Sequence, residues 1–319
     1  MDYGTPGSPE EVLEYYTDIR RGRPPTAEQL ADLVRRYDAI GGVSPLAERT
    51  SAQVGAVRSA LDELAPGQFS VVHGSKHARP RIEDAVDELA EHGIERLAGL
   101  VLAPHYSALS VGEYIERASK RAIRDGLEAV FVESWHDDPT LVDLLAERVS
   151  AAVEALDVQG DERLELVVSA HSLPARILDS GDRYPGEIAE TARLVAARAG
   201  VAHYRTGWQS AGRTQEPWLG PDILELLAIL AGDGVDAVVV CPAGFTSDHL
   251  EVLYDLDVDA QRVAGELGIR LARTTSLNAD PRLAAALARR VQELVSRTWG
   301  GAVPDSTNPC GTIPGAKAP

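Results

Sequence analysis

The stretch "VDAVVVCPAGFTSDHLEVLYDLDVDA", residues 235–260, joins an apolar run to an acidic segment. A continuous apolar run bounded by turn residues is typical of a strand that is covered on both faces of a parallel sheet. The segment that follows is predicted to be a helix, on which Glu251, Asp255 and Asp259 fall at i, i+4 and i+8. The three carboxylates would stack along one helix face, although like charges at that spacing cost stability.

This acidic stripe has a simple structural interpretation as a solvated helix face. Acids in a first helical turn are stabilised by the helix N-terminus by roughly 0.3–1 kcal/mol each. That accounts for Asp248, which lies close to the same line, and for Glu251. It does not account for Asp255 and Asp259, which lie too far along the helix, so a functional role for them stays open.

Along the rest of the chain, apolar runs alternate with helical patterns, and this alternation predicts an α/β protein with parallel sheets. Two sets of runs are separated by the long predicted helix 138–156 and the polar segment 157–163. This arrangement predicts two doubly wound lobes with a cleft between them. The other predicted strands are "FSVVHGS" (69–75), "LAGLVLAPHY" (97–106), "EAVFVESW" (128–135), "LELVVSAHS" (164–172) and "AHYRTGWQS" (202–210).

The lobes divide the chain near residue 150. Residues 1–150 are expected to form an N-terminal Rossmann-like lobe and residues 151–298 a C-terminal one, with a last helix able to pack back on the first lobe. Residues 299–319 are rich in Pro, Gly, Ser and Thr, which predicts a disordered tail. Two helix starts carry a capping-box pattern, "SPEE" from Ser8 and "TAEQ" from Thr26.

Composition excludes several classes of protein. With 31 Lys+Arg against 49 Asp+Glu the net charge is −18, which argues against nucleic acid and anionic membranes as partners. No apolar run approaches the roughly 18 residues of a membrane span. The two cysteines, Cys241 and Cys310, build neither a disulfide framework nor a four-cysteine cluster. A reducing cytoplasm fits this composition, and the start "MDYGTPGSPEE" lacks the features of a signal peptide.

His171 lies where the predicted strand 164–172 ends. Ligands of such sheets bind beyond the carboxyl ends of the strands, so a histidine there can present one ring nitrogen to the cleft. A single histidine is more often structural, and the position alone does not decide between a structural residue and a ligand.

Eight motifs along the chain resemble those of the ferrochelatases, in the same order. The resemblance covers residues 1–298 and is closest to the bacterial branch that uses coproporphyrin III. The motifs are "MDYGTP" (1–6), "YYTDIRRGR" (15–23), "RYDAIGGVSPL" (36–46), "LAPHYSALSVGEY" (102–114), "SAHSLP" (169–174), "GDRYP" (181–185), "WQSAGRTQEPWLGPDI" (208–223) and "GFTSDHLEVLYDLD" (244–257).

The resemblance implies a chelatase fold of two Rossmann-like lobes around a porphyrin cleft. It implies an enzyme, a lyase that inserts Fe²⁺ into coproporphyrin III during haem biosynthesis. His171 and Glu251 match the positions that face the metal from one side of the porphyrin. The residues that match porphyrin-binding positions are Tyr3, which approaches the iron from the other side, Arg20, Arg36, Tyr37, Ser44 and Tyr114.

The residue types suit that reaction. An imidazole is a suitable ligand for ferrous iron, and a neighbouring carboxylate can bind the ion or accept the two pyrrole protons. Arginine forks can pair with the propionates of the porphyrin. The stripe then has a candidate role, because Asp255 and Asp259 could form a path for the metal ion or for protons.

The resemblance also implies what the protein binds. Fe²⁺ and the porphyrin are substrates, no cofactor is expected to stay bound, and two cysteines cannot hold the four-cysteine [2Fe–2S] cluster of some relatives. The next enzyme of the haem pathway is a candidate partner.

Three other functions remain as alternatives. They are a protoporphyrin IX ferrochelatase, a chelatase that loads another metal into another tetrapyrrole, and a carrier of porphyrin or metal without catalysis. A dinucleotide-dependent enzyme is disfavoured, because no G-x-G-x-x-G follows a strand.

Overall fold

A computed structural model describes residues 1–212 and 214–300. It is an α/β structure whose strands pair in parallel in two sheets, as the apolar runs predicted. The predicted tail beyond residue 300 lies outside the described residues, and the last helix extends to Trp299. The helices are α1 (Val12–Ile19), α2 (Ala27–Ala39), α3 (Leu46–Leu64), α4 (Ile82–Glu91), α5 (Val111–Asp125), α6 (Pro139–Leu156), α7 (Tyr184–Ala199), α8 (Ile223–Gly232), α9 (Leu250–Tyr254), α10 (Gln261–Leu267) and α11 (Pro281–Trp299).

The first sheet contains two strands, β1 (Arg96–Leu100) and β2 (Glu128–Val132). They pair in parallel with Arg96 opposite Glu128, and α5 forms the crossover between them. Two parallel strands form a narrow sheet, which depends on the helices packed against it.

The second sheet has four strands in the order β4, β3, β5, β6. Its central strands are β3 (Leu164–His171) and β5 (Ala237–Cys241), and every residue of β5 is buried. The edge strands are β4 (Tyr204–Gln209) and β6 (Arg270–Arg273). Central strands of a parallel sheet are covered by helices on both faces, which explains the unbroken apolar run that opened the sequence analysis.

The segment 69–75 is not a strand in the structure, so that prediction was wrong. Phe69 and Val71 pack against one hydrophobic core and Val72 against another, which is the alternation of a strand. The segment nevertheless lacks a hydrogen-bonded neighbour over most of its length, and only Ser75 forms bridges, with Asp2 and Arg81.

The two predicted capping boxes have different outcomes. At α2, Thr26 and Gln29 form the reciprocal bonds of the box, as predicted. At Ser8 no side-chain cap forms, because Glu11 instead accepts a 2.8 Å hydrogen bond from the Gly7 amide. A short 3₁₀ turn, Pro9–Glu11, precedes α1.

The largest core joins elements that are far apart in sequence. Val57 and Leu61 of α3 share one cluster of buried residues with Leu287 and Val291 of α11. Trp135, which is 1% exposed, lies in the same cluster. The last described helix therefore packs against a helix from the first quarter of the chain. No helix within the described ranges is long and apolar enough to cross a membrane.

Candidate active site

His171 is the last residue of β3, at the carboxyl edge of the four-stranded sheet. Its Nδ1 donates a short hydrogen bond to the Ser172 carbonyl, and its own carbonyl accepts a 3.0 Å bond from the Tyr184 hydroxyl. One contact orients the imidazole ring and the other holds the backbone of His171. The tautomer that donates from Nδ1 leaves Nε2 with a free lone pair, the form of imidazole that binds a metal ion.

Glu251 faces that nitrogen from the start of α9. Its Oε1 lies 3.6 Å from His171 Nε2, and both side chains are 35% exposed. Burial opposes both charges, but the attraction between the two groups outweighs it. The pKa of His171 is therefore raised and the pKa of Glu251 is lowered well below its usual range. The structure brings together the two residues that the sequence analysis assigned to the metal.

His249 is a third member of this group that the sequence analysis did not assign. Its Nε2 lies 3.7 Å from Glu251 Oε2, and its Nδ1 is buried without a hydrogen-bond partner among the described residues. The Phe245 ring lies 4.8 Å from the His249 ring and 6.5 Å from the His171 ring. The one sequence signal for His249 was its position two residues before Glu251.

The acidic helix departs from the predicted α-helical geometry. Beyond Tyr254 the chain forms a π-helical turn, Asp255–Ala260. A π-turn closes its hydrogen-bonded rings between residues five apart instead of four, so the regular α-helix ends at Tyr254. The prediction of one regular α-helix through this segment was therefore wrong from Asp255 onward.

Asp255 still lies beside the pair of His171 and Glu251. It accepts a 2.5 Å hydrogen bond from the Ser210 hydroxyl, and its Oδ1 lies 3.8 Å from Nη1 of Arg36. Burial raises the pKa of Asp255 to about 6, and the neighbouring charge of Glu251 adds to that shift. A carboxyl group with that pKa can gain and lose protons near neutral pH.

The other two acids of the stripe have separate surroundings. Asp259 lies 3.7 Å from Arg262, and its charge contributes to the raised pKa of Asp222 at the start of α8. Asp248 points away from the stripe, because Ser276 and Asn278 donate hydrogen bonds of 2.8 and 2.9 Å to its carboxylate. Asp248 therefore fixes a loop and does not extend the acidic face.

Tyr3 is placed by the residue before it. The buried carboxylate of Asp2 accepts hydrogen bonds from Ser75 and, at 3.1 Å, from Thr50. The Tyr3 side chain is 41% exposed, and its ring lies 4.7 Å from the His77 ring. Although Tyr3 is 41% exposed, the surrounding protein removes enough water from the phenol to raise its pKa, and the charge of Glu251 raises it further, so both residues belong to one electrostatic region.

Two tyrosines assigned to the porphyrin are buried close to this region. Tyr37 is 4% exposed, and burial raises its pKa to about 12, with a hydrogen bond to Thr5 acting against that shift. Tyr114 is 5% exposed and belongs to a hydrophobic core, with Lys76 Nζ 5.4 Å from its ring centre. Lys76 also lies 5.9 Å from the Tyr3 ring.

The remaining predicted porphyrin residues lie in three different settings. Arg36 lies over the Tyr254 ring at 5.1 Å, close to Asp255. Ser44 is buried and its hydroxyl accepts a hydrogen bond of 3.3 Å from Leu46 at the start of α3. Arg20 donates to the Arg23 carbonyl at 3.2 Å, so its contacts are local to the turn after α1.

The site offers few ligands for a permanently held metal ion. Within residues 1–212 and 214–300, no group of three or more His, Cys, Asp or Glu side chains is arranged to hold one. His171 and Glu251 present one nitrogen and one carboxylate to a shared space. An imidazole nitrogen is a donor that suits ferrous iron, and a carboxylate beside it can serve as a second ligand.

Comparisons with known proteins agree with this geometry. The family model described as ferrochelatase matches residues 1–295. A protein of Geobacillus sp. (strain WCH70) named coproporphyrin III ferrochelatase is 44% identical over 291 residues, which cover 90% of this chain and 94% of that protein. The protein of Bacillus subtilis (strain 168) with the same name is 43% identical over 300 residues, covering 93% and 97%.

Solved structures share the fold at low sequence identity. SirB from Bacillus subtilis with Fe³⁺ superposes with a TM-score of 0.52 at 16% identity, covering 78% of this chain and 92% of that one. CbiX, described as the terminal enzyme for biosynthesis of sirohaem in denitrifying bacteria, gives a TM-score of 0.50 at 15% identity, covering 78% and 93%. At these identities the likeness shows the fold alone.

Proposed function

This chain belongs to the ferrochelatase family, and from that premise we propose that it inserts Fe²⁺ into coproporphyrin III. Its fold is that of the chelatases. The product is iron coproporphyrin III, an intermediate of haem biosynthesis, and the enzyme is a lyase that forms nitrogen–metal bonds. The observation that carries the proposal is the 3.6 Å approach of His171 Nε2 to Glu251 Oε1 at the edge of the sheet.

The reaction exchanges two pyrrole N–H protons for one Fe²⁺ ion. We propose that His171 Nε2 and the Glu251 carboxylate bind the incoming ion, which needs a neutral imidazole and an ionised acid. The raised pKa of His171 favours the protonated ring before the metal arrives, so the incoming dication would displace a proton from Nε2 while the hydrogen bond to the Ser172 carbonyl keeps the other proton on Nδ1. The lowered pKa of Glu251 keeps its carboxylate ionised at neutral pH.

The group that accepts the pyrrole protons must release them to water before the next turnover. Asp255 is the better candidate than Glu251, because a group whose pKa is about 6 both takes a proton and returns it to water near pH 7. Asp259 would continue this route toward solvent. The same two acids could attract the dication, and the experiments in the Discussion separate their roles.

The porphyrin would lie between His171 and Glu251 on one side and Tyr3 on the other. Arg20 and Arg36 are the proposed partners for propionates, since guanidinium groups pair with carboxylates in bidentate fashion. Tyr37, Ser44 and Tyr114 are proposed to shape the pocket. All three are buried, so they would pack behind the surface that faces the macrocycle.

Further properties belong to the same proposal. We infer that Fe²⁺ and porphyrin act as substrates, that no cofactor or [2Fe–2S] cluster stays bound, and that the two lobes divide near residue 150. We also propose a cytoplasmic location, because a chain with two cysteines forms no disulfide framework. Because free iron porphyrins are reactive, the next enzyme of the pathway is a reasonable partner for product transfer.

Anaerobic metalation assays test the proposal. The purified protein is mixed with Fe²⁺ and coproporphyrin III, or separately with protoporphyrin IX, and loss of the free-porphyrin spectrum is followed. His171→Ala should lower the rate with coproporphyrin III by at least about 100-fold. His203→Ala is the matched control. His203 is exposed and lies just before the first residue of β4, at the other edge of the sheet from His171, so this variant should retain activity.

The alternatives give different results. Faster metalation of protoporphyrin IX would overturn the choice of substrate, and a panel with Co²⁺ and Ni²⁺ tests the choice of metal. Tight porphyrin binding without metalation would favour a carrier and contradict the proposed enzyme.

A further inference from the structure

Tyr184 is the first residue of α7 and lies in the motif "GDRYP", residues 181–185. Its hydroxyl donates the 3.0 Å hydrogen bond that the His171 carbonyl accepts. The other side of the same peptide group is also held, because the Ser172 amide donates to the Gln209 carbonyl at 2.7 Å. The plane of the peptide group between His171 and Ser172 is therefore fixed from both sides.

The orientation of this peptide group determines where the imidazole of His171 points. The ring is tied to the same turn, because Nδ1 donates to the Ser172 carbonyl. The Ser172 hydroxyl in turn donates to the Leu219 carbonyl at 2.8 Å. A rotation of the peptide group would therefore change the distance between His171 Nε2 and Glu251 Oε1, which is 3.6 Å in the structure.

The Tyr184 ring is buried between two other rings. Trp208 of β4 lies 5.8 Å from it, and His105 lies edge-on to it at 6.3 Å. His105 follows β1 and belongs to the first half of the chain. Its Nε2 donates a 2.9 Å hydrogen bond to Thr191 Oγ1, since the Thr191 hydroxyl itself donates to the His136 carbonyl. Residues from both halves of the chain thus set the position of the Tyr184 ring.

Glu187 attaches the start of α7 to loops in the first half of the chain. Its buried carboxylate accepts hydrogen bonds from the Tyr106 amide at 2.7 Å and from the Ser134 hydroxyl at 2.8 Å. Arg183 Nε lies 2.9 Å from its other oxygen. Hydrogen bonds to an ionised group are stronger than those between neutral groups, so this attachment is firm.

Asp182 makes a second attachment just before the helix begins. One of its oxygens accepts hydrogen bonds of 2.9 Å from the Ser107 hydroxyl and 2.8 Å from the Ala108 amide. The other oxygen accepts from the Tyr184 amide at 3.0 Å. We call Asp182 and Glu187, together with these partners, the α7 latch. The latch joins the loops after β1 and β2 to the end of α7 that carries the Tyr184 hydroxyl.

We propose that Tyr184 is a positioning residue for metal insertion, through which the α7 latch sets the orientation of His171. The inference rests on the function proposed above, in which His171 binds the incoming ion. Tyr184 acts through its hydrogen bond to the His171 carbonyl and not through contact with the ion. A metal-binding side chain must be held within about 0.5 Å of its productive position by the groups behind it. Loss of the bond should therefore slow insertion without weakening the binding of either substrate.

Tyr184→Phe tests this, because it keeps the packed ring and removes only the hydroxyl. In the anaerobic assay with Fe²⁺ and coproporphyrin III, kcat should fall by about tenfold, with the KM for each substrate within about twofold. The Tm should change by no more than about 4 °C. A lower Tm with an unchanged kcat would show a purely structural role and would overturn the proposal.

Tyr204→Phe is the matched control. Tyr204 is the first residue of β4, is half-exposed and lies at the end of the sheet away from His171, so kcat should not change. Amide hydrogen exchange gives a readout that does not depend on activity. The Ser172 amide should exchange at least about tenfold faster in Tyr184→Phe than in the natural chain, while the Val167 amide in the middle of β3 is unchanged. Equal protection of Ser172 in the two proteins would overturn the proposal.

A double variant tests the α7 latch. Glu187→Gln weakens the latch by removing its charge, and kcat should fall by about threefold or more. Combined with Tyr184→Phe, it should slow insertion no further than Tyr184→Phe alone, because the hydroxyl that transmits the effect is absent. Effects on kcat that multiply would show that Glu187 acts independently of Tyr184, and the proposed route would be wrong.

The natural chain in the same assay separates this inference from the proposed function. A natural chain that inserts no Fe²⁺ would overturn the proposed function, and exchange of the Ser172 amide would still decide whether the Tyr184 hydroxyl holds the His171 backbone. An active natural chain with an equally active Tyr184→Phe variant would overturn the positioning role alone.

Discussion

Ser210 donates a hydrogen bond of 2.5 Å to Asp255, which ties the end of β4 to the first residue of the π-turn. Ser210 makes this contact with a φ of 57°, in the left-handed region that residues other than glycine seldom adopt. Strained backbone of this kind persists where the surroundings hold it and is concentrated at functional sites. The contact holds the carboxyl group of intermediate pKa next to His171 and Glu251.

Replacement of Asp255 by Asn should stabilise the protein at neutral pH. A carboxyl group whose pKa rises on folding destabilises the folded state at every pH at which that group is ionised in the unfolded chain. That destabilisation is absent below about pH 3.8 and complete above about pH 6. Asp255→Asn should therefore raise the free energy of unfolding at pH 7.5 by up to about 3 kcal/mol and change it little at pH 3.5. Urea unfolding at both pH values measures this, and an equal effect at the two would contradict the raised pKa.

The same substitution should change the pH dependence of metalation. If Asp255 accepts a pyrrole proton, the rate for the natural chain falls below about pH 6 as this carboxyl becomes protonated. The Asp255→Asn variant should metalate the porphyrin more slowly at pH 7.5, and its rate should no longer fall below about pH 6. Asp257→Asn is a suitable control, because Asp257 pairs with Arg273 through bonds of 2.7 and 2.9 Å on an exposed surface. If the rate of Asp255→Asn still falls below about pH 6, a different group must cause that fall.

The role of the two distal acids in iron delivery needs a separate measurement. Asp255→Asn combined with Asp259→Asn should raise the apparent KM for Fe²⁺ or slow turnover by about tenfold or more. Porphyrin affinity, measured by fluorescence quenching, should stay within about twofold. Since Asp259 lies 3.7 Å from Arg262, the single Asp259→Asn variant should have the smaller effect. Unchanged kinetics in the double variant would show that neither acid takes part in metal delivery and that both belong to a solvated helix face.

The coupling between the two central residues can be measured directly. Burial lowers the pKa of His171, and Glu251→Gln removes the charge that opposes burial most strongly, so the pKa should fall although the Ser172 carbonyl and Asp255 still favour the protonated ring. NMR titration of the imidazole nitrogens should show the pKa falling by about one unit or more. A His171 pKa that is the same in both proteins would refute the ion pair.

Gly244 provides a test of how the sheet positions His171. A Cβ at Gly244 would lie 2.7 Å from the Cα of Ala170, the residue before His171. Gly244→Ala should lower the free energy of unfolding by about 1–3 kcal/mol and reduce metalation, because the backbone of β3 must shift. Gly265→Ala in α10 meets nothing within 4 Å and should stabilise by up to about 1 kcal/mol. Chemical denaturation of the two variants should therefore give opposite signs.

The sequence predicted the fold where its patterns were strong. The apolar runs of β3 and β5 predicted a parallel sheet, and His171 was correctly predicted to lie at the carboxyl end of a strand of that sheet. The strand β6 was missed because its sequence, Arg270–Arg273, has only two apolar residues between two arginines and lies at a sheet edge. Edge strands are short and half-exposed, so they leave little pattern to detect.

The proximity of His171 and Glu251 was predicted from the motifs, whereas the details around them were not. The approach of Glu251 to His171 was expected from the motifs, whereas the π-turn after Tyr254 has no local signal of glycine or proline. The raised pKa of Asp255 depends on burial and on Ser210, which lies far away in sequence. Such properties arise only when distant segments meet, so no reading of one segment could supply them.

The packing of α11 against α3 also sets an order of events during synthesis. Val57 and Leu61 leave the ribosome long before Leu287 and Val291, the residues that share their core. The first helices must therefore wait, with their apolar faces exposed to solvent or held by a chaperone, until nearly the whole chain has been translated. Folding of this core is in that sense a post-translational event, and a polypeptide that stops short of α11 leaves it unfinished.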